Sequence, residues 1–213
     1  MCSRTGSNWS QEAYIKAVNS DTDDRFGSSV SLFENTLAVG AHYENSNQTT
    51  ITNSDTASSD NSSTNSGAVY IYTWSGSIWT QEAHIKAANN DISDEFGFQI
   101  SLSSDTLAVG AKMEDSNQTS ITTGPTASTD NSNTDSGAVY LYSWSGNTWT
   151  QIAYIKTTNN EVGDSFGDSI SLSRDTLAVG ASMEDSNQNI ITNAPTASDD
   201  NSSSDSGAVY VYY

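Results

Sequence analysis

The sequence predicts an all-β protein made of three copies of one unit. The phrase TLAVGA occurs at 36–41, 106–111 and 176–181, so the copies are 70 residues apart. Apolar and aromatic residues are gathered into short runs that alternate with polar positions, which is typical of half-buried strands. No segment has a helical period of useful length. The repeat is therefore expected to consist of strands alone.

The residue pattern of the middle copy predicts the first two strands of the repeat. The run FGFQISLS (96–103) alternates apolar and polar residues, and a short turn leads to TLAVGA (106–111). In this second strand Leu107 and Val109 share one face, and only small residues occupy the other. A face without bulky side chains suits a strand that packs closely between neighbouring sheets.

Two further strands complete the unit. The run GAVYLYSW (137–144) is rich in the β-branched and aromatic residues that favour strands. A Ser-Gly-Asn turn then leads to TWTQIAYIK (148–156), a typical hairpin connection. Strict alternation would place Trp149, Ala153 and Ile155 on one face of this fourth strand. The tryptophans at this position of the three copies, Trp9, Trp79 and Trp149, are expected to pack in the core or between blades.

A long polar stretch, residues 112–136, separates the second strand from the third. Within it, QTSIT could pair as an extra strand. Four antiparallel strands in a repeat longer than the ~40–50 residues of common propeller repeats favour a β-propeller blade with an enlarged loop. A parallel solenoid is the alternative, but its coils are usually shorter, roughly 20–30 residues.

A Phe-Gly pair before the first strand and a Gly-Ala pair at the end of the second recur in phase in all three copies. This pattern resembles the FG-GAP repeat of the integrin α-subunit propeller and its bacterial relatives, and it covers essentially the whole chain. The motif residues are Phe26, Gly27, Gly40, Phe96, Gly97, Gly110, Phe166, Gly167 and Gly180.

The resemblance implies a β-propeller used mostly for extracellular recognition and cell adhesion rather than catalysis. Integrin-type repeats often carry a calcium loop between the two motif halves, but here that interval is only residues 98–109, so the family's loop cannot be carried over. The proline position of the motif holds His42, Lys112 and Ser182. The chain is closer to the bacterial variant with long Asn/Ser/Asp loops.

The ends of the chain are permuted relative to the blades. Residues 1–213 are read as one propeller unit with repeats 26–95, 96–165 and 166–213, the last completed by 1–25. The segment 8–16 resembles a fourth strand without a blade. Three blades are fewer than the ~4–8 of known propellers. We therefore expect a homodimer that exchanges these strands to form six blades. A filament and a fragment of a longer propeller are the alternatives.

Composition narrows the range of partners. Lys and Arg together number 7 against 26 Asp and Glu, for a formal net charge of −19. Such a surface repels nucleic acid and anionic membranes, which need clustered basic residues, and it attracts cations. No segment approaches the ~20 apolar residues that span a bilayer, so no membrane insertion is expected.

Acidic residues lie at both ends of each long loop, where they could converge on Ca²⁺, which binds carboxylate and amide oxygens. The alternative is a hydrogen-bonded loop that binds no metal. The possible calcium ligands are Glu44, Asp60, Asn65, Glu114, Asp115, Asp130, Asp135, Glu184, Asp185, Asp200 and Asp205. No other cofactor is expected.

Other candidates are fewer. Trp74 and Trp144, beside hairpin turns, are possible surface contacts for a glycan. Asp94, two residues before a Phe-Gly pair, is expected to bond its own turn rather than a ligand. Neither histidine recurs in the repeats, so a Ser-His-Asp triad is not indicated. The sequence predicts a non-enzymatic extracellular recognition or adhesion module with a protein or glycan ligand. A self-assembling structural protein and a lectin are the alternatives.

Overall fold

A computed structural model describes residues 8–193 and 195–213, which form only β-strands, turns and loops. This confirms the all-β fold. No helix in these ranges is long and apolar enough to cross a membrane. The strands are β1 Ser29–Phe33, β2 Thr36–Ala41, β3 Ala68–Trp74, β4 Trp79–Ile85, β5 Gln99–Ser103, β6 Thr106–Ala111, β7 Thr122–Thr123, β8 Ala138–Trp144, β9 Trp149–Ile155, β10 Ser169–Ser173, β11 Thr176–Ala181 and β12 Ala208–Tyr212.

The strands form three antiparallel sheets, one for each repeat. Blade 1 has the order β1-β2-β3-β4, blade 2 the order β5-β6-β8-β9-β7, and blade 3 the order β10-β11-β12. The registers of the first two strands are the same in all three blades: Ser29 faces Gly40, Gln99 faces Gly110 and Ser169 faces Gly180. The result is a propeller-like array of three blades.

The long loop of blade 2 contributes the fifth strand of that sheet. Thr122 pairs with Tyr154 and Thr123 with Ala153, so the loop adds a short strand outside β9. Blade 1 has a single equivalent bridge, between Thr52 and His84. The expected extra strand is therefore present, although it is shorter than QTSIT and includes only its last residue.

Neighbouring blades bury their faces against each other. Val69 and Ile71 of blade 1 lie in one core with Ile100 and Leu102 of blade 2, and all four are at most 6% exposed. A second core joins blade 2 to blade 3 in the same way. Because burial of apolar surface is the main stabilising force, the blades are held together through these shared cores.

The Phe-Gly and Gly-Ala motifs bring successive blades into close contact. The Gly97 N–H donates to the Gly110 carbonyl at 3.0 Å, and the equivalent bonds recur in the other two blades. A Cβ on Gly40 would lie 2.3 Å from the Gly97 carbonyl oxygen of the next blade. TLAVGA ends on glycine and alanine because a neighbouring backbone occupies the space of a side chain. This confirms the close packing that its small residues predict.

The prediction that Trp149, Ala153 and Ile155 share one face is wrong. The pairing of β8 with β9 shifts between Leu141 and Tyr142, whose partners are Ala153 and Gln151, so Ile152 is a bulge. A bulge inserts one residue and reverses the alternation of side chains beyond it. Trp149 consequently packs between blades 1 and 2, whereas Ala153 and Ile155 pack between blades 2 and 3.

The two ends of the array are open. Residues 8–16 belong to no strand, and blade 3 has no fourth strand in the described residues. Trp9 is 84% exposed, unlike its equivalent Trp149 at 2%. The expectation that Trp9 is core therefore fails within a single chain. The segment resembling a fourth strand lies at one end of the array and the unpaired edge of β12 at the other.

Candidate functional site

Three long loops leave the same edge of the blades. In blade 2 the loop runs from the end of β6 to the start of β8, where Ala111 faces Ala138. The segment that connects one blade to the next begins at this edge too, because Ile155 at the end of β9 faces Val139. Loops and connectors hydrogen-bond to each other: the Phe166 N–H donates to the Ser136 carbonyl. We call this the loop edge.

A buried carboxylate anchors the loop of blade 2. Glu114 is 1% exposed, and Lys156 reaches its Oε2 with Nζ at 2.9 Å. Tyr154 and Asn89 donate to Oε1 at 2.7 and 2.9 Å, and the Ser116 N–H donates to Oε2. Burial lowers the pKa of Lys156, and the negative charge of Glu114 counteracts that shift. This predicted calcium ligand is thus held by four donors of the protein itself.

Blade 1 repeats the arrangement with small differences. Lys86 Nζ lies 2.9 Å from Glu44 Oε2 and also donates to Ser66 Oγ at 2.9 Å. His84 occupies the position of Tyr154, packs against Tyr70 with the two rings tilted by 46°, and has its pKa lowered to about 4 by burial. Each glutamate joins the start of a loop to the lysine that directly follows the fourth strand of the blade, so the pair has a structural role in both blades.

The third glutamate has only part of this environment. Asn159 donates to Glu184 Oε1 at 3.0 Å, and Ser186 donates to Oε2 through its N–H and its hydroxyl. Glu184 is only 3% exposed, yet within the described residues it forms no ion pair with a lysine or arginine. A buried carboxylate without a cation is costly, because its charge is removed from water without compensation.

The other acidic loop residues shape the loop backbone. Asp115 Oδ1 accepts the Asp135 N–H at 2.8 Å, and Asp135 has a left-handed φ of 55°. Asp185 and Asp205 form the same pair, as do Asn45 and Asn65. The carboxylates of Asp60, Asp130 and Asp200 are exposed. Each accepts hydrogen bonds from the hydroxyl and the N–H of the serine two residues later, and these bonds lower the pKa of the aspartate.

The structure does not gather the predicted calcium ligands around one point. Residues 8–193 and 195–213 contain no group of three or more His, Cys, Asp or Glu side chains placed to hold a metal ion. Glu114 lies in an ion pair, Asp135 in a turn and Asp130 at the surface. Calcium binding by these loops therefore stays a prediction.

Asp24, Asp94 and Asp164 are buried turn residues. Each accepts, through Oδ2, the N–H of the residue three positions earlier, as in the Asp91–Asp94 bond at 3.1 Å. This confirms that they bond their own turns. Burial, with a smaller contribution from the charge of Glu114, raises the pKa of Asp94 to about 8, and burial raises that of Asp164 to about 6.

The pKa of Asp94 predicts a loss of stability at mildly alkaline pH. Its pKa rises from 3.8 to about 8 on folding. The carboxyl group therefore stabilises the fold fully below pH 4, and this contribution decreases as the pH rises until it is lost above pH 8. Between pH 6.5 and 8 the free energy of unfolding should fall by up to about 1.4 kcal/mol per pH unit. Asp94→Asn keeps an acceptor for Asp91 and should remove most of this slope. Urea unfolding of both proteins across that range measures it, and equal slopes would contradict the assignment.

The two candidate surface tryptophans lie at the opposite edge from the loops. Trp74 packs against Trp79 with ring centroids 5.6 Å apart, and Trp144 against Trp149 at 5.7 Å. Both Trp74 and Trp144 are half-buried, so each presents only part of its ring. Their use in ligand contact stays a prediction.

Sequence reasoning missed the lysines of the loop anchors. Lys16, Lys86 and Lys156 are 70 residues apart, and they are three of only seven basic residues. In so acidic a chain, a lysine that recurs once in each repeat indicates that it pairs with an acidic residue that also recurs. This pattern could have identified the lysines as buried partners of the repeated glutamates.

Comparison with known proteins agrees with the architecture. No curated protein matches the chain. A family model, the FG-GAP repeat, matches residues 9–72, 79–142 and 149–212, nearly the whole sequence. Each match begins at a segment equivalent to β4 and ends in the third strand of the next blade. The three matches and the three propeller-like blades establish that the chain belongs to the FG-GAP repeat family.

Proposed function

We propose that the protein is a non-catalytic extracellular recognition or adhesion module that binds its ligand through the loop edge. The observation that carries this proposal is the repetition of that edge. Asp60, Asp130 and Asp200 are each exposed, each accepts the hydroxyl of the serine two residues later, and they recur every 70 residues. Repeated identical groups on a rigid scaffold suit multivalent binding of a repetitive or cationic ligand.

The chemistry of the buried groups supports a structural scaffold. Glu114 and Lys156 bind each other and the protein's own hydroxyl and amide groups, and Glu44 and Lys86 do the same in blade 1. Ionisable residues used in this way position loops and lie away from the exposed carboxylates. The function of the family as a recognition module agrees with this division between an internal framework and a variable rim.

Calcium is the first ligand to test at the loop edge. Exposed carboxylates and neighbouring amide oxygens are the ligands that this ion prefers. Calorimetric titration with CaCl₂ should give binding to the natural protein and none to the triple variant Asp60→Asn, Asp130→Asn, Asp200→Asn. Because these side chains are exposed, the variant should unfold at nearly the same temperature. No heat of binding with the natural protein would remove calcium from the proposal.

Recognition itself is tested with protein immobilised on beads. The beads are exposed to arrays of extracellular matrix proteins and of glycans, in calcium and in chelator. Binding that the triple variant loses would support the loop edge as the recognition surface. Glycan binding lost instead on Trp144→Ala would favour the lectin alternative. Silence on both arrays would contradict recognition of these two ligand classes.

A further inference from the structure

We propose that a second copy of the chain docks head-to-tail on blade 3, where its residues 8–16 become the missing fourth strand and its Lys16 pairs with the buried Glu184. The chain contains the template for this contact twice, at the junctions of blades 1 and 2 and of blades 2 and 3. At each end of the array of blades, the surface that would form one side of such a junction is exposed. The proposal concerns assembly and goes beyond recognition by the loop edge.

The charged groups form the most specific part of the match. Lys86 and Lys156, at the ends of β4 and β9, reach Glu44 and Glu114 at 2.9 Å. Lys16 occupies the equivalent position 70 residues earlier and is exposed. Glu184 is 3% exposed and has no cation among the described residues. Lys16, which also forms no ion pair within the described residues, and the buried Glu184 are therefore the two halves of the proposed ion pair.

Two hydroxyl groups complete that pair. Tyr154 donates to Glu114 at 2.7 Å, and its equivalent Tyr14 is 82% exposed. Lys156 donates to Ser136 at 2.7 Å, and the equivalent Ser206 is exposed on blade 3. Docking residues 8–16 as a fourth strand would place Tyr14 and Lys16 around Glu184 as Tyr154 and Lys156 surround Glu114.

The apolar faces at the two ends are complementary. Val30 and Leu32 on blade 1 are 64% and 58% exposed, whereas their equivalents Ile100 and Leu102 are each 6% exposed beneath blade 1. At the other end Val209 and Val211 are 72% and 51% exposed, and their equivalents Val69 and Ile71 are fully buried. These are the same two surfaces that already meet at each internal junction.

The backbone at blade 3 leaves room for the Phe-Gly motif of another copy. A Cβ on Gly67 would lie 2.0 Å from the Phe96 carbonyl oxygen, and one on Gly137 would lie 2.2 Å from that of Phe166. At Gly207 the nearest atom is 3.2 Å away and belongs to Ser182. A depression lined by residues 168–169, 180–182 and 206–209 lies there. Phe26 and Gly27 of a second copy match this space.

The partner is a second copy and not the other end of the same chain. Both end faces remain exposed in the folded chain, so three blades have not closed on themselves. Two chains joined end to end through two such contacts give six blades, within the ~4–8 of propellers. A head-to-tail contact that closes in this way leaves no open end.

The internal hairpins fix the expected register. Because Leu141 faces Ala153 and Tyr140 faces Tyr154, Val211 should face Ala13 and Tyr210 should face Tyr14 of the other chain. In a Cys2→Ser background, Ala13→Cys with Val211→Cys should form disulfides between chains on mild oxidation. Ala13→Cys with Val209→Cys is the control, because Val209 lies two residues along β12 from Val211, which places its Cα more than about 7 Å from that of Ala13 and beyond the reach of a disulfide.

The ion pair is tested by sedimentation and light scattering over a range of protein concentrations. The natural chain should form dimers, and Lys16→Glu should weaken the dimer at least tenfold. The matched control is Arg174→Glu, which changes the charge equally at an exposed turn where the first repeat already has Glu34. Arg174→Glu should leave the dimer intact. Thermal melting of Lys16→Glu monitors folding, and its exposed side chain predicts no change within the monomer.

Each outcome decides a part of the proposal. Dimers lost only in Lys16→Glu, with cross-linking between chains at the predicted register, support it. A monomer at every concentration overturns it, as does a disulfide formed within one chain, which would indicate closure of three blades. Equal loss of dimer in Lys16→Glu and Arg174→Glu would show a response to net charge and overturn the pairing. Species that grow without limit would overturn the closed ring.

Discussion

Replacing Glu114 by Gln is expected to destabilise the protein by about 3–5 kcal/mol, the usual cost of leaving one member of a buried ion pair alone. The side chain of Lys156 is fully buried and, within residues 8–193 and 195–213, its Nζ has Ser136 Oγ as its only other acceptor, so its charge cannot move to water. The neutral amide is also a weaker acceptor than the carboxylate, so the hydrogen bonds that Tyr154 and Asn89 donate to this side chain become weaker. Urea unfolding followed by tryptophan fluorescence measures the change.

A double-mutant cycle separates the pair from its surroundings. Lys156→Met alone should be similarly costly, whereas Glu114→Gln with Lys156→Met should cost much less than the two single changes added together, because no unpaired charge remains. The pair Lys112–Glu95, at 3.4 Å and with the lysine side chain 25% exposed, supplies the control. Lys112→Met should cost no more than about 1 kcal/mol. Additive single changes in the buried pair would contradict its role as the loop anchor.

Substituting Gly137 by Ala is the second change expected to have a large effect. Gly137 has φ of 81°, where an L-residue is strained by about 1–2 kcal/mol. In addition, the new Cβ would lie 2.2 Å from the Phe166 carbonyl oxygen and 2.5 Å from its nitrogen, and both atoms belong to backbone. The junction of blades 2 and 3 must therefore separate, and we expect a total loss of several kcal/mol, in the upper range for single substitutions.

Gly207→Ala is a matched control for that contact. Its φ of 76° imposes nearly the same backbone strain, but the atom nearest to a Cβ there is the Ser182 oxygen at 3.2 Å. At protein concentrations where the chain is monomeric, Gly207→Ala should cost about 1–2 kcal/mol, mainly from backbone strain. The difference between the two variants measures the close approach of the blades. If both alanines had the same effect, that approach would contribute nothing to stability.

Much of the fold is readable from the sequence because the repeat supplies three independent copies of each signal. The bounds of TLAVGA as a strand match the structure to the residue, and the small face of that strand does pack on a neighbouring backbone. The face of Trp149 was not predictable by alternation, since the bulge at Ile152 has no marker in composition. The position of residues 8–16 could not be read either, because a strand needs a pairing partner, and the pattern of these residues does not show whether another described strand lies beside them.

The candidate site was predicted only in part for a related reason. The spacing of Glu114, Asp130 and Asp135 shows that acidic residues share a loop, but it does not show which of them turn inward. In the structure Glu114 points to Lys156, 42 residues later, across the sheet. That pairing depends on β8 lying beside β9. Patterns within the loop alone therefore left a metal ligand and a hydrogen-bonded loop as alternatives for Glu114, and the folded chain supplies an ammonium group there.

The family repeat and the blade are out of phase, and this has an evolutionary consequence. Each matched unit, such as residues 79–142, carries the last strand of one blade and the first three strands of the next. A tandem duplication of such a unit adds one lysine and one glutamate that each pair with a neighbouring unit, as Lys86 pairs with Glu44 and Glu114 with Lys156, so a blade inserted between two existing blades keeps its buried ion pairs. The terminal surfaces stay the same whatever the number of copies. A lineage can therefore change the size of the array through single recombination events without having to invent a new end.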